Sequence, residues 1–207
     1  MIKYIVLDFG HGGIDENGNY TTRGKKHTFP NGETAYEGVI NRRIGGMVRA
    51  FLRMLDDDYT IITTVDENDP RDLSLSYRVR VANQYPASQT LFISIHNNAF
   101  NSRARGFEIY TTRGVTRSDA LAESIANAIE PFYKDLQLKL RYDLSDGDKD
   151  KEAEFYVLRR TACPAVLLEC LFFDNAEDFA LLKDPEFVKD LSWRIFVGIR
   201  NYLEANR

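Results

Sequence analysis

Four side chains in the 207-residue sequence have the types and settings that support chemistry: His11, Glu37, His96 and Glu169. His11 stands in Gly10-His11-Gly12-Gly13, just past the apolar run Tyr4–Phe9, and His96 directly follows the apolar run TLFISI at 90–95. Glu37 lies one turn ahead of a helical pattern, on the leading edge of its inward face. Glu169 is inside AVLLECL at 165–171, where an ionised acid is costly unless it is paired or metal-linked. An arginine partner would satisfy Glu169 as well as a functional role would. A single loop histidine is ordinarily solvated, but two histidines at the ends of two strands are a harder coincidence. Two histidines and a carboxylate make a zinc set for hydrolysis, with three protein ligands and a fourth position left for water. Such a metal polarises a carbonyl and lowers the pKa of a water, while a separate carboxylate carries protons to the departing amine. On this reading His11, Glu37 and His96 hold the metal and Glu169 handles protons. The helix-borne HExxH signature is absent, so the ligands come from dispersed elements.

Those elements follow from periodicity. Tyr4–Phe9, Tyr59–Val65, Thr90–Ile95, Gly106–Thr112, Phe155–Leu158 and Ala165–Leu171 read as strands, being short apolar or alternating runs rich in β-branched and aromatic residues. Ile40, Ile44, Met47, Val48, Phe51 and Leu55 recur at helical spacing, predicting an amphipathic helix of about five turns. Further helices are expected over 74–85, stopped by Pro86, over 118–132 with Ser118 as cap, over 175–182, and from Asp184-Pro185 to Tyr202. Two stretches are expected to be loops. Residues 14–36 form a long polar connection, of a length often tied to function, and residues 140–154 a charged, solvated surface loop. The alternation predicts an α/β fold, a mixed and largely parallel sheet with helices on both faces. The carboxyl ends of its strands, where ligand sites collect, would carry His11, His96 and Glu169.

Composition bounds the class. A hydrophobic share of 43% against 28% charged residues fits a globular domain with a proper core. A net charge of −4 argues against a nucleic-acid partner, which needs a basic face. Cys163 and Cys170 lie in or beside apolar sequence and read as buried free thiols rather than a disulfide framework. No apolar run approaches the roughly 20 residues of a membrane span. The start, Met1-Ile2-Lys3, enters a strand with no leader-like segment, so synthesis in the cytoplasm without a signal peptide is expected.

Taken together, the motifs resemble the zinc-dependent N-acetylmuramoyl-L-alanine amidases, the catalytic domain common in bacterial autolysins and phage endolysins. The resemblance rests on Gly10–Gly13, Glu37–Asn41, Arg78 with Ala82-Asn83, Ser94-Ile95-His96-Asn97-Asn98, and Gly106-Phe107-Glu108. It continues through Leu158-Arg159-Arg160, Pro164–Glu169 and Phe173-Asp174-Asn175, in that order along the chain. It covers residues 1–207 as a single catalytic domain. It implies a twisted six-stranded sheet flanked by helices, Zn2+ on His11, Glu37 and His96, and Glu169 as the catalytic glutamate. The implied substrate is peptidoglycan, cut at the amide between the lactyl group of N-acetylmuramic acid and L-alanine.

Some positions depart from the family pattern. Phe9 stands where a proline is common, and Cys170-Leu171 where small residues are common, which bears on the cleft wall more than on the metal. Glu33 is a second acid near Glu37, but the helix pattern that matches follows Glu37. His27 reads as an exposed loop residue, and Glu108 as a strand residue rather than a ligand. A monomer acting on the wall is expected, either a lysin released through a permeabilised membrane or a domain from a longer autolysin. Two alternatives remain open here: a zinc carboxypeptidase-like peptide hydrolase, and a non-catalytic domain that binds wall fragments.

Overall fold

The computed structural model describes residues 1–55 and 59–207. Its centre is a six-stranded sheet. In chain order the strands are β1 (Tyr4–Phe9), β4 (Thr60–Thr63), β5 (Thr90–Asn98), β6 (Glu108–Thr111), β7 (Lys151–Glu152) and β8 (Ala165–Phe172). They lie side by side as β4-β1-β5-β8-β6-β7. The first four are parallel, β6 runs antiparallel to β8, and β7 closes the edge parallel to β6. β1, β5 and β8 are covered on both faces, which is why their sequences are almost continuously apolar rather than alternating. The expected mixed, largely parallel sheet with helices on both faces is the observed one.

The larger core lies on one face. Here α1 (Glu37–Leu52) and α3 (Arg117–Asp135) pack against the sheet, and α6 (Pro185–Ala205) packs on both helices. α1 buries Ile40, Ile44, Val48 and Leu52, each contributing about 1.5–3 kcal/mol by leaving water. Gly198 lets α6 lie close on α3, since a Cβ there would overlap the backbone at Ile125. The opposite face carries α2 (Leu75–Ala82) and α4 (Tyr156–Arg160), with Val79, Ala82, Val157 and Leu158 on Val6, Phe92 and Leu167. α5 (Ala176–Lys183), capped by Asn175, leads into α6, whose cap is Asp184 followed by Pro185.

Several elements depart from expectation. Residues 155–158 are not a strand: Phe155 is extended, and Tyr156–Arg160 is a turn and a half of helix. Both sides of β8 are already occupied, by β5 and β6, and β7 takes the free side of β6. The apolar run therefore docks on α2 instead. The cap of α3 is Thr116 rather than Ser118, in a capping box with Asp119. The long loop over 14–36 contains a small hairpin, β2 (Lys26–Thr28) with β3 (Thr34–Tyr36). The charged stretch 140–154 is not simply solvated: it supplies β7, and Asp150 is buried. α1 ends at Leu52, one turn earlier than its apolar pattern suggests. Cys163 and Cys170 are free and buried, as expected.

Candidate active site

Three elements bring His11, Glu37 and His96 together. Gly10 leaves β1 with its N–H bonded to the Ile95 carbonyl, 3.1 Å away. A Cβ on Gly10 would overlap the His96 imidazole, so glycine here makes room for that ring. His96 lies inside β5, two residues short of its end, rather than in the turn beyond it. The next residue, His11, has φ 64°, in the left-handed region, which histidine enters more readily than most residues but still at a cost. Its carbonyl is held from two sides, by Arg42 Nη1 at 2.9 Å and Arg78 Nη2 at 3.1 Å. Those two guanidiniums fix the backbone that aims the imidazole.

Arg78 is itself anchored. It is 2% exposed and donates to Asp8 Oδ1 at 2.7 Å, to the Phe9 carbonyl at 2.7 Å and to the Leu73 carbonyl at 2.9 Å. Burial would raise the Asp8 carboxyl, but Arg78 and the hydroxyls of Ser94 and Thr64 hold it below its usual range. This buried network sits directly beneath the His11 turn. The sequence motif included Arg78 but not its pairing with Asp8, which depends on a long-range register between β1 and α2.

Glu37 is the first residue of α1 and is 1% exposed. Its Oε1 lies 3.1 Å from His11 Nε2 and 3.0 Å from His96 Nδ1. The two rings meet edge to face at 4.9 Å. One donor atom from each residue falls within 4.8 Å of the other two, making this the one His/Cys/Asp/Glu group of metal-binding compactness among the described residues. Asn41, one turn on, donates to the Gly10 carbonyl at 3.1 Å and accepts from Asn97 at 2.9 Å, tying α1 to β1 and β5. Burial works to raise the Glu37 carboxyl, yet the two imidazoles outweigh it and hold it far below the usual carboxylate range. Burial pushes the His11 imidazole down, toward the neutral form that a metal needs. His11 Nε2 and Glu37 Oε2 are withdrawn from solvent and make no hydrogen bond. Buried polar atoms without a hydrogen bond are uncommon unless something else binds them. Lys25, from the long loop, approaches Glu37 Oε2 to 3.5 Å; nothing in its local sequence marked it.

Glu169 stands across the strand from His96 on one side and Glu108 on the other, so all three share a face of the sheet. The residue is partly exposed, but its Oε2 is buried and has no partner. Burial, reinforced by the Glu37 charge, raises its carboxyl well above the ordinary value. Glu169 thus has no arginine partner. Glu108 takes that role instead, accepting from Arg141 at 2.8 Å, Lys151 at 2.7 Å, Asn98 at 2.7 Å and Tyr110 at 3.0 Å. Glu33 is exposed in the hairpin turn and pairs with Lys183 at 2.6 Å, apart from the group. His27 packs on Phe29 and is likewise outside it. A cavity of about 530 Å³ on the far side of the Gly13 turn, lined by Val39, Arg42, Met47 and Pro70 among others, includes none of the four residues.

Residues 5–201 match the family described as N-acetylmuramoyl-L-alanine amidase. An endolysin of Bacillus phage SPP1 is 29% identical over 208 residues, covering 100% of this chain and 68% of that protein. The N-acetylmuramoyl-L-alanine amidase CwlM of Bacillus licheniformis is 30% identical over 199 residues, covering 93% of this chain and 65% of that protein. The chain thus spans about two thirds of the length of either curated relative. In fold it is similar to the crystal structure of an N-acetylmuramoyl-L-alanine amidase from Clostridium difficile 630, with a TM-score of 0.80 and 24% identity over 100% of this chain and 99% of that one.

Proposed function

Because the chain belongs to the N-acetylmuramoyl-L-alanine amidase family and is a peptidoglycan amide hydrolase, we propose that it works with zinc held by His11, Glu37 and His96 and with Glu169 as its proton carrier. The observation that carries this is the convergence of three donor atoms within 4.8 Å, with His11 Nε2 and Glu37 Oε2 buried and making no hydrogen bond. Two imidazoles and one carboxylate suit zinc, and three ligands leave a position for reactants. When bound, zinc polarises the scissile carbonyl and lowers the pKa of a water at the site.

The chain's own residues do the rest. Glu37 stays ionised between two imidazoles, so it offers a charged oxygen without waiting for a proton to leave. The carbonyl bonds from Arg42 and Arg78 hold His11 in its left-handed backbone, and Gly10 admits the His96 ring. Glu169 has a buried, unpartnered Oε2 beside His96 and a carboxyl whose affinity for a proton is raised. It takes a proton from the attacking water and passes it to the nitrogen of L-alanine as the amide breaks. General acid–base catalysis of this type contributes about 10²–10⁴-fold.

Metal analysis and turnover separate the two roles. Glu37→Gln is expected to lose stoichiometric zinc, whereas Glu169→Gln keeps zinc and loses about 10²–10⁴-fold in kcat. Full zinc in the first variant, or undiminished kcat in the second, would contradict the assignment. The cell wall is the proposed place of action, in the manner of a phage lysin or an autolysin domain. Among the described residues, no helix is long and apolar enough to cross a membrane.

A further inference from the structure

The row His96, Glu169, Glu108 leads from the metal group across the sheet to a pair of cations. Neighbouring strands lie about 4.7–4.9 Å apart, so Glu108 stands about 10 Å from His96 on the same face, with Glu169 between them. Glu108 is buried, and two cations share it: Arg141 Nε at 2.8 Å and Lys151 Nζ at 2.7 Å both meet its Oε1. Asn98 and Tyr110 take its Oε2. Burial works to raise the Glu108 carboxyl, yet Lys151 and Arg141 outweigh it and hold it below the usual range, so the anchor is charged. Among the described residues, neither cation pairs with another acid. One carboxylate beneath two cations leaves an excess of positive charge. Both cations stay open to solvent, over 36% of the Arg141 side chain and 28% of the Lys151 side chain. The Arg141 guanidinium also lies over the Phe172 ring, 5.4 Å from its centre, which steadies its plane. A register shift sets Phe172 opposite Asn98, past His96 at the carboxyl end of the strands. A chain of net charge −4 that gathers positive charge beside its site favours an anionic ligand there.

We propose that Arg141, with Lys151 beside it, binds a carboxylate on the second residue of the stem peptide, the one after L-alanine. This rests on the zinc and Glu169 assignment above. Glu169 passes its proton to the alanine nitrogen, so the departing peptide lies on the Glu169 side of the metal group. The same sheet face then leads to Arg141. An extended residue spans at most about 3.3–3.6 Å, so a carboxylate one residue beyond alanine lies about 7 Å from the alanine nitrogen. That length carries it from Glu169 to the cations over Glu108. A guanidinium fits the task, because its planar fork matches a carboxylate in two parallel bonds, while the lysine adds a point charge. In peptidoglycan the second residue is D-glutamate joined onward through its side chain. Its main-chain carboxyl is therefore a free carboxylate or, where amidated, a neutral amide. The subsite reads that difference. The acid form gains a charge-assisted pair, and the amide form leaves the excess charge unanswered.

The test is paired kinetics of the zinc-saturated protein on N-acetylmuramoyl-L-alanyl-γ-D-glutamyl-L-lysine and on the same molecule with D-isoglutamine at the second position. Calorimetry with the two released tripeptides runs alongside. The acid form is expected to show about tenfold higher kcat/KM, mostly through KM, and its tripeptide to bind about tenfold more tightly, the worth of one hydrogen bond to a charged group. Arg141→Gln should erase the preference by raising KM for the acid form while the amide form keeps its wild-type KM. Arg141→Lys should retain part of the preference. A merely structural Arg141 would move both substrates alike, and that result would count against the subsite. Lys25→Gln is the contrast: a preference lost there and kept in Arg141→Gln would put the carboxylate on the Glu37 side and overturn the proposal. Equal turnover and equal binding of acid and amide forms in wild type would overturn it as well. Should neither muropeptide be cleaved while the tripeptides keep an Arg141-dependent preference, the zinc and Glu169 assignment falls and the carboxylate site stands.

Discussion

Glu37 and Glu169 are two carboxylates on one site with opposite proton affinities, and the difference comes from neighbours. Burial raises both. Glu37 has an imidazole on each side and is pulled below the ordinary range; Glu169 has Glu37 for company and is pushed above it. Divergent affinities of this kind fit the proposed roles of ionised ligand and proton carrier. They also set a stability prediction. A carboxyl raised in the fold contributes stability that is full below its unfolded pKa and lost as pH rises through the folded value. With zinc removed, Glu169→Gln should therefore match wild type in melting temperature near pH 4 and exceed it at pH 8. Equal melting at both pH values would show that the Glu169 charge carries no such cost. Asp8 has the reverse sign. Its depressed carboxyl contributes stability above the unfolded pKa that is lost as pH falls through the folded value. Arg78→Met leaves that charge buried and unpaired, and urea unfolding at pH 7 should register a loss of about 3–5 kcal/mol.

At the scale of elements, the site depends on how closely α1 seats against the His11 turn. Gly38, the second residue of α1, faces the Gly12 carbonyl so closely that a Cβ would overlap it. Helix propensity alone favours Gly38→Ala by about 1 kcal/mol. The backbone clash outweighs that gain, because the obstacle is a carbonyl and not the end of a flexible chain. The variant should be destabilised by about 1–3 kcal/mol and bind zinc more weakly, as read by unfolding and by competition with a chromophoric chelator. The strands holding the site were legible because Tyr4–Phe9, Thr90–Ile95 and Ala165–Leu171 are buried on both faces and so read as unbroken apolar runs. The helix at Tyr156–Arg160 was not, because a four-residue apolar run has no period, and its outcome depended on β8 having no free side. The hairpin at 26–36 was hidden for a different reason: its strands are three residues each and mostly polar.

At the scale of the whole molecule, the sheet order brings together groups that are far apart in sequence. β1, β5 and β8 are neighbours, so His11, His96 and Glu169 approach although 158 residues separate the first from the last. Residue type and strand position marked these three as candidates in advance, and helix position marked Glu37. The supports were not: the Asp8–Arg78 pair, the Asn41–Asn97 link and the approach of Lys25 to Glu37 each depend on tertiary register that no local pattern encodes. The layers place the proposed catalytic groups at one end of the central strands, while the acids of 146–152 gather at the β6–β7 edge. On the proposed reading, this arrangement cuts one amide in peptidoglycan with zinc and Glu169. Mass spectrometry of defined muropeptides digested by the zinc-saturated protein tests it most directly. The predicted result is a stem peptide with a free L-alanine amino terminus and an intact glycan, abolished by chelator and by Glu169→Ala; new reducing sugar ends, or release of a C-terminal amino acid alone, would contradict it.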